Sequence, residues 1–133
     1  TEEQLDRPGS TRPAPNGIAM NPSGLQAFLQ NADGLFISLL IDDGANKTDH
    51  FQSYTFRFDE KGVVSAFSAD EQHLGSYFIF EDDNRIELSM AFSSSGSFTE
   101  LNDDWYYIET VESSIRFEDD LEVKNYQLEF SRN

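Results

Sequence analysis

The sequence has no cysteine, two histidines and four prolines in 133 residues. Without cysteine the chain has no disulfide framework, no thiolate metal ligand and no nucleophilic thiol. His50 and His73 are the side chains whose ordinary pKa would let them titrate near neutral pH. No apolar run approaches the roughly 18 residues that span a bilayer as a helix. The sequence therefore predicts no transmembrane span and offers few groups for acid–base chemistry.

Positive charge is also scarce. Nine Lys and Arg stand against 25 Asp and Glu, which gives a formal net charge of −16. Nucleic acids and anionic membrane surfaces are bound through clustered Lys and Arg, so we expect neither as a partner. The charge favours a basic or carbohydrate-like partner instead. The length allows one domain.

The first 22 residues differ from the rest in composition. They hold all four prolines, and residues 1–17 are nearly free of large apolar side chains. Such a segment cannot bury enough surface to offset the entropy lost on ordering. We predict a flexible tether over residues 1–22, following a removed signal peptide, and one folded domain over residues 23–133.

A short helix is predicted directly after Pro22. Ser23 and Gln26 have the spacing of a capping box, in which each side chain satisfies a backbone N–H at the helix start. Leu25, Phe28 and Leu29 follow at i, i+3 and i+4 and would form one apolar face. Because an isolated helix of this length is unstable in water, we expect that face to lie on the domain.

From Leu35 onward apolar residues alternate with polar ones, as in Tyr54, Phe56 and Phe58. This period of two is typical of strands that bury one face. Short polar turns separate the runs. The pattern predicts eight strands, near residues 35–42, 51–59, 62–68, 75–81, 84–92, 104–111, 114–118 and 125–131.

Short links between successive strands indicate antiparallel neighbours. Eight such strands close most economically into an all-β, up-and-down barrel, because closure removes the exposed edges. A two-sheet sandwich is the second possibility. The predicted inward residues are Phe36, Tyr54, Phe56, Phe58, Tyr77, Leu88, Met90, Trp105, Tyr107, Phe117, Leu128 and Phe130.

Several short motifs occur in a suggestive order. Gly34-Leu35-Phe36 opens the first strand, the 51–58 segment is followed by a turn at Gly62, and Gly75-Ser76-Tyr77 lies in the fourth strand. The segment 101–105 precedes the sixth strand, and 126–130 ends the chain's last strand. Over roughly residues 24–132 the chain resembles the lipocalin-like (calycin-type) domains of secreted Bacteroidetes lipoproteins.

In that family the first strand usually carries Gly-x-Trp, and the fourth often does; here Phe36 and Tyr77 stand at the tryptophan places. The resemblance implies a barrel and export to the periplasm or the outer-membrane or cell surface. It also implies a lipid anchor upstream of Thr1. It implies no catalytic residue.

The residues themselves give little sign of catalysis. The sequence has no Gly-x-Ser-x-Gly elbow, no phosphate-binding loop and no His-Glu-x-x-His. His50 and His73 fall in predicted links, where solvated histidines are common. We therefore predict a protein that is not an enzyme and has no cofactor.

The acidic links between strands could be either metal sites or solvated turns. Carboxylates concentrate in four links, and calcium would need six to eight oxygen ligands from such groups. None of the links has the EF-hand spacing, so we predict no metal site. The four links are 42–46, 81–84, 103–104 and 118–120.

Two binding functions remain, and they differ in whether the barrel interior is filled or holds a ligand. An eight-stranded barrel either is filled by side chains or holds one small ligand. The first hypothesis is a small apolar or amphipathic ligand bound by Phe36, Tyr54, Phe56, Phe58, Tyr77, Met90, Trp105 and Tyr107. The alternative is a protein-interaction or scaffold domain with a filled interior. In that case Phe98 and Leu101 would cap the barrel, and Phe78 and Phe80 would face outward, under the helix or as a contact patch.

Overall fold

The computed structural model describes residues 21–119 and 125–132. Within these residues there are one α-helix, nine strands and two 3-10 helices, which span Thr48–Phe51 and Gly96–Leu101. The helix and strands are α1 (Pro22–Asn31), β1 (Leu35–Asp42), β2 (Ala45–Asn46), β3 (Thr55–Phe58), β4 (Val63–Phe67), β5 (Gln72–Asp82), β6 (Arg85–Phe92), β7 (Asp103–Val111), β8 (Ser114–Glu118) and β9 (Gln127–Arg132).

Helix α1 begins two residues earlier than the capping-box spacing predicts. Asn21 is the N-cap, and its side-chain Oδ1 accepts a hydrogen bond from the Gly24 N–H at 2.7 Å. Pro22 takes the first helical position, where its missing N–H costs nothing. The predicted cap at Ser23 is therefore wrong, whereas the predicted apolar face is confirmed, with Leu25 and Leu29 fully buried. The predicted tether lies outside the described residues up to residue 20.

The strands close into a barrel. β1 and β3 to β9 are neighbours in order, all antiparallel, and β9 pairs back with β1 from Leu35↔Arg132 to Ile41↔Gln127. This confirms the predicted eight-stranded up-and-down barrel and excludes the sandwich. The ninth strand, β2, is a two-residue addition paired with the end of β1, which the sequence did not predict.

The weakest seam of the barrel lies between β1 and β3. One residue pair, Leu35↔Phe56, joins these strands. Nearer the C-terminal end of β1, the Leu40 N–H donates to Thr48 Oγ1 at 2.9 Å, and the Lys47 N–H donates to the Leu40 carbonyl at 2.8 Å. The prediction of a strand from residue 51 is thus wrong: Phe51 ends a 3-10 helix that completes the seam, and it is fully buried.

Each end of the barrel is covered. At one end, which we call the helix end, Gln30 Nε2 donates to the Tyr77 hydroxyl at 2.9 Å. At the other, the loop end, the ring of Phe98 lies 5.2 Å from that of Phe51 and 5.0 Å from that of Phe92. Phe98 and Leu101 are buried, so the prediction that they cap the barrel is confirmed.

Candidate functional site

The barrel interior is filled by the chain's own side chains. Most predicted inward residues are at most 3% exposed: Phe56, Phe58, Leu88, Met90, Trp105, Phe117, Leu128 and Phe130. The Phe130 ring lies 5.4 Å from that of Phe56 and 5.6 Å from that of Phe58, near the separations that edge-to-face aromatic pairs prefer. Trp105 Nε1 donates to the Leu101 carbonyl at 3.1 Å, which satisfies its one polar atom. These groups have the properties of a packed core.

Three of the predicted inward residues are less buried. Phe36 is 36% exposed between the buried Leu35 and Ile37, so the prediction that it faces inward is wrong. Tyr54 and Tyr107 are half-buried and pack against the core. The Tyr107 hydroxyl pairs with Thr110 Oγ1 at 2.9 Å. Together with the filled interior, these positions do not outline a shared ligand pocket.

Two concavities lie on the outside of the barrel. One has a volume of about 520 Å³ and the other about 210 Å³. Neither is lined by any of the eight predicted ligand-binding residues. The first is lined by Arg57, Ser65 and residues 67–72, and the second by Glu109, Val111, Glu112, Ser114, Arg116 and Glu129.

His73 is the centre of a hydrogen-bond chain at the loop end. Its Nδ1 lies 2.7 Å from Ser94 Oγ, and its Nε2 lies 2.8 Å from Glu71 Oε1. The Tyr54 hydroxyl donates to the same Glu71 oxygen at 2.6 Å. The hydrogen bond from Tyr54 lowers the pKa of Glu71, and the bond with His73 lowers it further. The Tyr54–Glu71 bond also raises the pKa of Tyr54.

A serine, an imidazole and a carboxylate in series can carry out acyl transfer when they open onto a substrate cleft. Here the His73 ring is stacked on Phe98, 4.2 Å between centroids, and neither described concavity is lined by His73 or Ser94. The chain of bonds braces the segment after β6 against β5. His73 is a half-buried strand residue, so its predicted position in a solvated link is wrong.

His50 also has a structural partner. Its Nδ1 lies 3.0 Å from Glu100 Oε1, and Lys47 Nζ lies 3.2 Å from Glu100 Oε2. Lys47 also contacts Asp42 Oδ2 at 2.9 Å, and the hydrogen bonds with Asp42 and Glu100 raise the pKa of Lys47. These contacts link the two 3-10 helices that cover the loop end.

The acidic turns do not form a recognisable metal centre. Among residues 21–119 and 125–132, no group of three or more Asp, Glu or His side chains could hold a metal ion. Instead, partial burial, followed by a hydrogen bond with the Asp119 carboxyl, raises the pKa of Asp103 to about 7. A shared proton relieves the repulsion between these two carboxyl groups.

The outer face of β4, β5 and β6 is the most apolar exposed surface that the strand register brings together. Phe78 is 65% exposed and Leu74 is 50% exposed, and both point outward from β5. Phe80 stacks on Phe78 with ring centroids 5.7 Å apart, and Val63 lies on the neighbouring strand. We call Val63, Leu74, Phe78 and Phe80 the aromatic face. The prediction that Phe78 faces outward is confirmed, and helix α1 leaves it exposed.

An unusual carboxylate borders the aromatic face. In the strand register Glu87 of β6 lies directly between Phe80 of β5 and Tyr106 of β7. Glu87 is 5% exposed, and burial, followed by the charges of Asp82 and Asp104, raises its pKa. No donor in the part of the chain that the structure describes is within hydrogen-bond distance of its carboxylate. The sequence pattern alone does not single out Glu87.

The comparisons with known proteins give no family for the chain. No family model matches the chain, and no curated protein or solved structure is similar enough to count as a match. The lipocalin-like resemblance is consistent with the closed barrel and stays a prediction. No helix of residues 21–119 and 125–132 is long and apolar enough to cross a membrane.

Proposed function

We propose that this domain is a non-catalytic protein-interaction module that binds its partner through the aromatic face. The observation that carries the proposal is the 65% exposure of Phe78 on a barrel whose interior is already occupied by its own rings. Aromatic residues in the centre of a patch are the usual anchors of protein interfaces.

The energetics favour a contact at this position. Covering an exposed phenylalanine ring yields about 2 kcal/mol at roughly 25 cal/mol per Å² of apolar surface. Phe78 belongs to β5, which is paired on both sides, with Val63↔Ser76 and Phe78↔Ser89. Because the backbone beneath the ring is held by two ladders, little further ordering opposes binding.

The other sequence-based hypothesis, a small apolar ligand inside the barrel, requires interior space. Native mass spectrometry of the purified protein before and after organic extraction separates the two. We expect the bare polypeptide mass in both samples. An additional mass that the solvent removes would overturn the filled-interior proposal in favour of a carrier.

The interaction itself is tested by selecting random displayed peptides on the wild-type protein. Phe78→Ser is the test variant, and Val111→Ser is the matched control, because Val111 is also an exposed apolar strand residue, 49% exposed, outside the aromatic face. We expect selected peptides to lose at least about tenfold in affinity on Phe78→Ser, the equivalent of about 1.4 kcal/mol. They should keep their affinity on Val111→Ser. Peptides that bind both variants equally, or no enrichment at all, would refute the proposal.

The cellular location in this proposal rests on the resemblance to lipocalin-like lipoprotein domains alone. That resemblance supports a periplasmic or cell-surface lipoprotein, anchored by lipid upstream of Thr1. Fatty-acid labelling of the full-length product in its own cells tests this: the label should appear in the protein, and an unlabelled product in the cytosolic fraction would contradict the location.

A further inference from the structure

We propose that the partner is a basic peptide segment and that one of its Arg or Lys side chains binds the Glu87 carboxylate between Phe80 and Tyr106. This inference rests on the proposed function and adds the chemistry of the partner. An apolar side chain of the same segment would cover Phe78.

The Glu87 carboxylate is the first reason. Glu87 is 5% exposed, and of the described residues none donates a hydrogen bond to it. The Glu87 oxygens are not among the fully buried side-chain atoms that lack a partner, so a cation can approach them to hydrogen-bond distance. The pKa of Glu87 is raised by burial as the largest cause, followed by the charges of Asp82 and Asp104.

The aromatic rings of Phe80 and Tyr106, on either side of Glu87, are the second reason for this proposal. A guanidinium or ammonium group within about 6 Å of an aromatic centroid is attracted by the ring face. The chain itself makes one such contact here, with the Arg85 guanidinium 5.8 Å from the Tyr106 centroid. Phe80 lies on the opposite side of Glu87 in the strand register. Glu87 thus stands in a row of aromatic, acidic and aromatic residues.

The acidic side chains around Glu87 favour a partner of positive charge. Asp82, Asp83 and Asp104 are close enough to Glu87 to raise its pKa, and Arg85 is the cation that acts against them. A second copy of this chain would bring a formal charge of −16 against the same acidic rim. Self-association through this face is therefore opposed by repulsion, and a basic partner is attracted.

The shape of the face supports an extended segment. On the outer surface Ser76 pairs with Ala91, and Phe78 pairs with Ser89. These small residues leave room beside the Phe78 ring for one apolar side chain. Asp104 is the next residue across, opposite Ser89. A peptide that crosses the strands would therefore meet an apolar position and acidic positions in turn.

The test uses the full chain and two synthetic peptides. One is acetyl-Leu-Arg-Phe-Arg-Leu-amide, and the other replaces both arginines with citrulline, which keeps the shape and removes the charge. Binding is followed by NMR chemical-shift titration and calorimetry on wild type, Glu87→Gln and Glu112→Gln. Glu112 is an exposed carboxylate in the turn between β7 and β8 and serves as the matched control.

We expect the arginine peptide to shift amide resonances of β5, β6 and β7. Its affinity should fall at least about tenfold on Glu87→Gln and less than about twofold on Glu112→Gln. The citrulline peptide should bind wild type at least about tenfold more weakly. Thermal melts establish that Glu87→Gln, a nearly isosteric change, stays folded.

The outcomes distinguish this inference from the function on which it rests. Equal binding of the two peptides, with both dependent on Phe78, would overturn the Glu87 site and leave the interaction module intact. Equal losses on Glu87→Gln and Glu112→Gln would reduce the effect to general charge attraction and overturn the site. No resonance shifts on β5 to β7 with the arginine peptide would also overturn it, whereas the displayed-peptide selection decides the proposed function separately.

Discussion

Gln30 and Tyr77, 47 residues apart in sequence, are joined by a hydrogen bond of 2.9 Å between the Gln30 amide nitrogen and the tyrosine hydroxyl. The same hydroxyl donates to the Asp59 carbonyl, which also accepts from Gln30 Nε2 at 3.2 Å. Tyr77 therefore fastens helix α1 and the β3–β4 turn to β5. Its ring is buried against Phe58, with centroids 5.0 Å apart.

Tyr77→Phe should loosen the helix without emptying the core. The ring contact with Phe58 stays, and two hydrogen bonds are lost, so we expect the free energy of unfolding to fall by about 1–2 kcal/mol. Urea denaturation gives that value, and hydrogen exchange should show faster exchange in α1. Tyr54→Phe is the control, because its hydroxyl bonds the exposed Glu71 and should cost less. Unchanged protection of α1 would contradict the proposed role of Tyr77.

Gly75→Ala should strain the pairing of β5 with β6. A Cβ at this position would lie 2.6 Å from the Ala91 carbonyl oxygen and 2.9 Å from Phe92 Cα. Backbone atoms must move to accept it, at a cost of about 1–3 kcal/mol in unfolding free energy. Ser76→Ala on the same strand is exposed and should stay within about 0.5 kcal/mol of wild type. Equal stability of the two variants in urea would show that the strands do not approach closely here.

Phe51→Ala should open the seam between β1 and β3. The ring is fully buried and lies within 6.5 Å of the rings of Phe56, Phe98 and Tyr54. Deleting a buried phenylalanine ring costs about 3–5 kcal/mol. Phe36→Ala is the matched control, and since Phe36 is 36% exposed we expect a loss of about 1 kcal/mol or less. A larger loss for Phe36 than for Phe51 in urea denaturation would contradict the assigned directions of these rings.

Asp103 should make stability depend on pH. Its pKa is about 7 in the folded protein against an ordinary value of 3.8, so the fold retains a proton that the unfolded chain releases. This contribution is complete below about pH 4 and is lost as the pH rises through 7. After allowance for solvent screening at a half-buried site, we expect the free energy of unfolding to fall by about 1–2 kcal/mol between pH 4 and pH 8.

Asp103→Asn isolates that effect from the general repulsion of an acidic chain. The variant should be more stable than wild type at pH 8 and should approach it at pH 4. Asp104→Asn, at the exposed neighbouring position, controls for the removal of one charge. An equal pH slope in wild type and Asp103→Asn would show that Asp103 does not carry the proton.

The barrel was predictable because several of its strands alternate strictly. In Ile86-Glu87-Leu88-Ser89-Met90 every second side chain is apolar, and the structure buries Leu88 and Met90. The run Leu35–Ile41 is apolar on both faces, so alternation did not decide its direction. Its pairing with β9 did, since Leu35 and Ile37 face the core and Phe36 faces outward.

The candidate site was predictable in part. Alternation around the buried Tyr77 predicts that Phe78 and Phe80 lie on the opposite face, and Phe78 does. The same alternation suggests that Glu87 is a solvated carboxylate. Its burial depends on the register that aligns it with Phe80 and Tyr106, which lie seven residues before it and 19 after it. The Ser94–His73–Glu71 chain was missed because Ser94 is 21 residues from His73 and reaches it only through the pairing of β5 with β6.

The sequence by itself determined the fold class of this protein, because period-two alternation and short polar turns leave few ways to bury one face of eight strands. It also determined the acidic character of the chain, since a net charge of −16 does not depend on folding. Only the tertiary structure decided which rings fill the interior, how the Thr48–Phe51 segment completes the barrel, and why Glu87 lies largely covered beside an exposed aromatic face. These features depend on register, and a side chain's neighbours on adjacent strands are set by pairing rather than by position in the chain.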